Sequence, residues 1–134
     1  MSSEDAVALV RRGYEALNRG DVEGVLAFLD PEIEWHGYTH IPESGPLEGR
    51  EDVRAWLERF LDAWEELEIE LTDILDAGER VVALVRFHAI GRGSGVQVEG
   101  GVDAHVWTVR NGHAVAVTLY QGTREAMAAV GLRE

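Results

Sequence analysis

The spacing of apolar side chains divides this chain into a helical first half and a sheet-forming second half. Between residues 4 and 19, and again after Asp21, apolar residues recur at intervals of three and four, which predicts a hairpin of two helices. A short extended segment is predicted near 32–41. The clearest helical stripe, from about 51 to 65, then predicts a third helix.

The second half has the period of two that is typical of β-strands. The pair Asn111-Gly112 separates two runs of β-branched and aromatic residues, which predicts a tight hairpin turn. The pair Gly100-Gly101 inside a strand predicts a bulge or a sharp bend. The predicted strands are 66–77, 79–91, 96–110 and 113–121, followed by a short helix at 123–129.

Helices followed by long strands are typical of an α+β domain, and 134 residues suit one domain spanning residues 1–134. A strongly curved antiparallel sheet that wraps around the three N-terminal helices would bury the apolar faces of both. We therefore expect such a sheet, with an interior pocket at its open end.

Composition narrows the function by exclusion. The chain has 25 acidic and 12 basic residues, a formal net charge of -13, so nucleic acid and acidic membrane surfaces are disfavoured as partners. It has no cysteine and its basic residues are all arginine, which excludes thiolate and Schiff-base nucleophiles. A secretory signal and an apolar span of membrane length are both absent from the sequence, so we expect a cytoplasmic protein.

One strand carries the strongest candidate chemistry. Alternation places Asp103, His105 and Trp107 on the same face of the strand before the Asn-Gly turn. A carboxylate and an imidazole facing an apolar pocket are suited to proton transfer near neutral pH. The alternative is a polar pair that satisfies itself or faces solvent.

The extended segment carries a second candidate. Alternation sets Glu34, His36, Tyr38 and His40 on the face opposite Trp35. His36 is a candidate general base, and the alternative is an exposed loop histidine. A metal site at Glu34, His36 and His40 needs a helix to bring the two histidines together, so we expect no metal and no cofactor.

Five segments, in this order and spacing, resemble the nuclear-transport-factor-2-like superfamily and, within it, the SnoaL-like branch. They are Tyr14–Asp21, Asp30–Trp35, Gly49–Trp56, Val106–Gly112 and Ala126–Leu132. The resemblance implies a cone-shaped α+β fold with an interior pocket, and a homodimer packed through the outer face of the sheet. Relatives include ketosteroid isomerase, polyketide cyclases and limonene epoxide hydrolase, as well as domains that only bind or assemble.

The resemblance also implies positions for catalytic groups. The ketosteroid isomerase base position falls on His36, the position of its strand aspartate on His105, and that of its helix tyrosine on Gly13, one residue before Tyr14. In polyketide cyclases a polar residue and a histidine lie two apart on one strand, as Asp103 and His105 do here. Gln121 stands where those cyclases, and the epoxide hydrolases, have an aspartate.

We therefore expect a small-molecule protein whose status as an enzyme is open. The first hypothesis is an acid–base isomerase or cyclase acting on an enolisable hydrophobic or aromatic ligand, with His36 or Asp103 as base and His105 as its partner or oxyanion donor. The second is a non-catalytic binding or dimerisation domain, and the third an epoxide-type hydrolase. The expected ligand-binding residues are Tyr14, Tyr38, Trp56, Phe60, Phe87, Trp107 and Gln121.

Overall fold

A computed structural model describes residues 2–132 and shows four α-helices and a six-stranded sheet, which confirms the α+β class. The helices are α1 (Ser3–Asn18), α2 (Val22–Phe28), α3 (Gly49–Asp62) and α4 (Arg124–Ala129), with a short 3₁₀ turn at Pro42–Ser44. The strands are β1 (Leu29–His36), β2 (Leu47–Glu48), β3 (Trp64–Ala77), β4 (Arg80–Gly91), β5 (Gln97–Arg110) and β6 (His113–Tyr120).

The sheet is curved and unclosed, with the strand order β2-β1-β6-β5-β4-β3. All neighbouring strands are antiparallel except β1 and β6, which are parallel. The four strands predicted between residues 66 and 121 are antiparallel to one another as expected, and the parallel pair involves the extended segment before α3. Strand β1 follows α2 directly. It lies beside β6, the last strand, and runs in the same direction as β6.

The helical hairpin forms where the sequence predicts it, because each end has its own capping group. Ser2 and Asp5 form a reciprocal capping box at the start of α1, and the left-handed conformation of Gly20 (φ 71°) lets the chain turn after it. The Asp21 carboxylate accepts a hydrogen bond from the Gly24 N–H at 2.9 Å and so caps α2.

The third helix ends three residues before its predicted end. The backbone N–H of Arg92 donates to the Ala63 carbonyl at 2.9 Å, and the Arg92 guanidinium donates to the carbonyls of Asp62 and Trp64. These bonds satisfy the carbonyl groups at the end of α3, and β3 begins directly afterwards at Trp64. Apolar periodicity continues through Trp64 and therefore does not detect the boundary.

The predicted irregularity at Gly100-Gly101 is confirmed as a register shift between β4 and β5. Arg86 pairs with Val102 and His88 pairs with Glu99, so the two glycines together face Phe87. The strand therefore bends at this point, ahead of the residues that alternation places on the concave face.

Two apolar clusters stabilise the sheet, one on each face. The larger lies between the helices and the concave face, and Trp107 and Val109 belong to it. The smaller lies under α4 on the convex face, and Ala104 and Val106 belong to it. The alternation predicted along β5 is thus confirmed. Within residues 2–132, none of the helices combines the length and the apolar character needed to cross a membrane.

We predict that Gly13→Ala destabilises the protein, although alanine in a helix is favoured over glycine by about 1 kcal/mol. A Cβ at Gly13 would lie 2.7 Å from Cδ2 of Phe28. The Phe28 ring is buried and packs against Trp107 at a centroid distance of 5.0 Å, so it has little room to move. We expect a loss of about 1–3 kcal/mol in the free energy of unfolding, measured by urea denaturation.

The control is Glu15→Ala, an exposed position of the same helix, for which a change within about 0.5 kcal/mol is expected. A Gly13→Ala protein more stable than wild type would contradict the close packing of α1 against Phe28.

Candidate functional site

The centre of the candidate site is His105, a buried histidine on the concave face of β5. Both of its ring nitrogens are paired with tyrosine hydroxyls: Nδ1 lies 2.6 Å from the Tyr14 oxygen and Nε2 lies 2.7 Å from the Tyr38 oxygen. The Trp107 indole N–H donates to the Tyr14 oxygen at 2.9 Å. We call these four residues, together with Asp103, the His105 cluster.

The hydrogen-bond inventory determines the tautomer of His105. Indole N–H is only a donor, so the Tyr14 oxygen accepts from Trp107. The Tyr14 hydroxyl is itself buried, and the His105 Nδ1 is the acceptor within reach of its proton. Nδ1 is therefore unprotonated, and the neutral ring carries its proton on Nε2 and donates to the Tyr38 oxygen.

Burial keeps the side chains of Tyr14 and His105 neutral. Desolvation lowers the pKa of His105 to about 3 and raises the pKa of Tyr14 well above its ordinary value of 10.0. Both groups are uncharged at neutral pH as a result. The pair therefore acts in its neutral form, as a hydrogen-bonded support for the Tyr38 hydroxyl.

That outer end is Tyr38, whose hydroxyl proton is left free to bond elsewhere. Burial raises the pKa of Tyr38 above its ordinary value, and the Asp103 carboxylate raises it further by its charge and as a hydrogen-bond acceptor. One Asp103 oxygen accepts from the Gly122 backbone N–H at 2.9 Å. Asp103 is thus a half-buried carboxylate, fixed from one side and facing Tyr38 on the other.

A tight loop after β1 brings Tyr38 inward, which alternation did not predict. Strand β1 ends at His36. A Cβ on Gly37 would lie 2.1 Å from the Ser44 carbonyl oxygen, so the two backbone segments can approach this closely only with a glycine at position 37. The Ser44 hydroxyl donates to the carbonyls of Ile41 and Tyr38 at 2.6 and 3.3 Å. The expectation that Tyr38 shares a face with His36 was wrong for this reason.

The structure does not bring His36 to the cluster. The His36 side chain is exposed, as are those of Glu34 and His40, whereas Trp35 between them is buried and contacts Trp107. The strand face assigned to His36 is correct, but that face points away from the core. Of the two candidate bases, Asp103 faces Tyr38, whereas His36 faces solvent.

Aromatic rings, one of them buried and three half-buried, extend from the cluster along the interior. Trp35 contacts Trp107 and Trp56, with centroids 5.8 and 5.7 Å apart, and Trp56 stacks on Phe60 at 4.9 Å. Phe60 in turn contacts Phe87 at 6.1 Å. We call Trp35, Trp56, Phe60 and Phe87 the aromatic wall. Trp56, Phe60 and Phe87 are among the ligand-binding residues expected from the sequence, which placed Trp35 on the face of its segment opposite His36.

Gln121, one of the expected ligand-binding residues, is exposed and lies just after β6. A surface groove runs along α1 past Val7 and Arg11, and none of its lining residues belongs to the His105 cluster. In the described part of the chain, no group of three or more histidine and carboxylate side chains has metal-binding geometry. The interior pocket and the roles of Asp103 and His105 stay predictions.

The comparison with known families agrees with the fold. The profile of the family described as SnoaL-like domain matches residues 10–117. That range contains the whole His105 cluster and the aromatic wall, and it ends before Gln121. No curated protein sequence matches the chain.

Solved structures resemble the chain over nearly its full length. An NTF2-like protein of unknown function from Burkholderia pseudomallei is 27% identical, with a TM-score of 0.78 and coverage of 97% of this chain and 98% of its own. A predicted polyketide cyclase from Xanthomonas campestris is 27% identical, with a TM-score of 0.74 and coverage of 96% and 99%. A Catenulispora acidiphila protein with a ketosteroid isomerase-like fold is 16% identical over 93% of each chain, with a TM-score of 0.74. That last likeness concerns the fold alone.

We predict that Tyr14→Phe destabilises the protein by about 1–3 kcal/mol in the free energy of unfolding, measured by urea denaturation. The change leaves the buried Trp107 N–H without an acceptor and His105 Nδ1 without a donor. Tyr120→Phe, at a half-buried tyrosine of the convex face, is the matched control and is expected to cost less. Equal losses in the two variants would show that the buried hydrogen bonds contribute no net stability.

Proposed function

We propose, from the premise that this chain belongs to the SnoaL-like family, that it binds a small hydrophobic ligand in its interior and moves a proton at an enolisable carbon of that ligand. The single observation that carries the proposal is the pairing of a donor with a carboxylate. The neutral Tyr38 hydroxyl, backed by His105, lies beside the half-buried Asp103.

The two groups have complementary roles. Tyr38 donates a hydrogen bond to the ligand carbonyl oxygen, which becomes more negative as the enolate forms. The Nε2–H of His105 donates to the Tyr38 oxygen and so makes the Tyr38 proton a better donor. Tyr14 and Trp107 are positioning residues, because they act on the ligand only by holding the His105 ring.

Asp103 is the base of the proposed reaction. Its carboxylate takes the proton from the carbon next to the carbonyl, which leaves an enolate and a neutral Asp103. Where the enolate is conjugated with a double bond, return of the proton from Asp103 to the far carbon completes an isomerisation. Where the enolate attacks a second carbonyl of the ligand, a C–C bond forms, the carbonyl becomes an alkoxide, and return of the Asp103 proton to that oxygen completes a cyclisation. The ligand oxygen replaces Asp103 as the acceptor of the Tyr38 proton, so the carboxylate is free when the ligand is bound.

The second candidate function is ligand binding without catalysis. Both His105 nitrogens are already satisfied by tyrosines, so the cluster is complete without a ligand. This observation favours a rigid binding site as much as a catalytic one. We also carry forward as proposals the hydrophobic or aromatic class of the ligand and a homodimer packed through the outer sheet face.

The test measures proton abstraction directly, without knowledge of the natural substrate. We expect the wild-type protein to accelerate deuterium exchange at the carbon next to the carbonyl of 1-tetralone in D₂O, followed by proton NMR. Asp103→Asn should lower the exchange rate by about 10²–10⁴-fold, because it removes the base. Tyr38→Phe should lower it by about 10²-fold or more, because it removes the donor to the forming enolate.

The matched control is Asp73→Asn, an exposed carboxylate of β3, which should leave the rate unchanged. Binding of 1-tetralone with exchange at the buffer rate would contradict catalysis and favour the binding domain. Loss of exchange in His36→Ala, but not in Asp103→Asn, would assign the base to His36 instead. A wild-type protein that binds no hydrophobic probe would overturn the proposed function altogether.

A further inference from the structure

The backbone of Gly122 contacts Asp103, the base of the proposed reaction. Its N–H donates a hydrogen bond to Asp103 Oδ1 at 2.9 Å, across 19 residues of the chain. Strand β5 holds the other end of the Asp103 side chain through its backbone, so the side chain is attached at both ends. The Gly122 N–H therefore sets the direction in which the carboxylate points.

The Gly122 N–H reaches Asp103 from a left-handed backbone conformation, with φ 72°. Residues with a Cβ rarely adopt this conformation, because the Cβ comes too close to the following carbonyl oxygen, and asparagine is one of the few exceptions. A Cβ built on Gly122 would meet no other atom within 4 Å. Glycine is therefore favoured at position 122 by the conformation of the backbone and not by lack of space.

The helix that follows Gly122 fixes this backbone from the convex side of the sheet. Residues 121–123 connect β6 to α4, so the connection is short. Ala126 of α4 is fully buried in the convex cluster together with Ala104, the residue of β5 that follows the proposed base. The position of the Gly122 N–H thus depends on the packing of α4 against the strand that carries the site.

We propose that Gly122 is a positioning residue: its left-handed backbone, held by the packing of α4, directs the Asp103 carboxylate towards the ligand carbon from which it takes the proton. This inference rests on the proposed function and extends it to a segment that lies after residues 10–117, the range matched by the family profile. Gly122 acts on the ligand only through Asp103.

The physical reason is the rotational freedom of a carboxylate. An aspartate side chain has two rotatable torsions, and without a fixed partner it populates several rotamers. The Gly122 bond selects the rotamer in which the Asp103 carboxylate faces Tyr38, whose pKa it raises. A displacement of about 1 Å in a reacting group can lower a rate about 10²-fold, so loss of this selection should reduce proton transfer more than binding.

The test compares Gly122→Ala with Gly122→Asn in the exchange of deuterium into 1-tetralone. Alanine disfavours the left-handed conformation, whereas asparagine tolerates it, and the position has open space for either Cβ. We expect Gly122→Ala to lower the exchange rate at saturating 1-tetralone about tenfold or more, while the Kd for 1-tetralone stays within about twofold of the wild type. Gly122→Asn should restore most of the rate.

The matched control is Gly78→Ala, in the turn between β3 and β4. Gly78 also has a left-handed backbone, with φ 76°, and open space for a Cβ. Its N–H likewise donates to a carboxylate oxygen, Asp76 Oδ1, at 3.1 Å. This variant introduces the same backbone strain next to the same kind of hydrogen bond, in a turn that contains no residue of the His105 cluster. Its exchange rate should equal that of the wild type.

A second measurement follows the Asp103 side chain itself and needs no catalysis. The three-bond Hα–Hβ couplings of Asp103, measured by NMR, should indicate one rotamer in the wild type and in Gly122→Asn, and averaged rotamers in Gly122→Ala. The Gly122 amide proton of the wild type should exchange slowly with solvent, because it is hydrogen-bonded.

The outcomes separate this inference from the proposed function. If the wild type exchanges deuterium and Gly122→Ala is equally fast, or Gly122→Asn is as slow as Gly122→Ala, the inference is overturned and the proposed function stands. If the wild type binds 1-tetralone without exchange, catalysis is overturned, and the Asp103 couplings decide whether Gly122 orients the carboxylate. Should Gly122→Ala fail to fold, averaged couplings in the wild type would overturn the inference, whereas a single rotamer with a protected Gly122 amide would support it.

Discussion

The site depends on one buried, neutral histidine that is held between two tyrosines. His105 lies on β5, and its partners come from α1 and from the loop after β1, so the ring joins three separate parts of the fold. The direction of each hydrogen bond follows from Trp107, the one partner that can only donate. Trp107 donates to Tyr14, Tyr14 donates to His105, and His105 donates to the Tyr38 oxygen. The hydroxyl proton of Tyr38 is therefore not used within this series, and it lies next to the half-buried Asp103.

The distribution of charge separates the interior from the surface. The chain has a net charge of -13, yet the neutral forms of Tyr14 and His105 are the stable ones in the core. A hydrophobic ligand would therefore meet an apolar wall with few polar contacts, where each hydrogen bond counts for more than it does in water. In these apolar surroundings the unpaired Trp35 N–H is unfavourable, because a buried donor without an acceptor has lost its hydrogen bond to water.

Local signals predicted most of the fold, whereas the site depends on long-range contacts. Helix caps, the Asn111-Gly112 turn and strand alternation act over a few residues, so the elements and the shared face of Asp103, His105 and Trp107 were predicted correctly. The partner of His105 on α1 lies 91 residues away along the chain, and no local pattern encodes that pairing. Tyr38 was assigned to the wrong face because alternation stops at Gly37, where a backbone contact with Ser44 redirects the chain.

The most direct test of this account is an NMR titration of the His105 ring nitrogens, assigned with His105→Gln. Because burial lowers the folded pKa to about 3, below the ordinary 6.5, the unfolded chain binds a proton first, and the contribution of His105 to stability falls as the pH drops from 6.5 towards 3. We predict an unprotonated Nδ1, a protonated Nε2 and no titration of the ring between pH 7 and about 4. A ring that titrates near 6.5, or that carries its proton on Nδ1, would contradict the account.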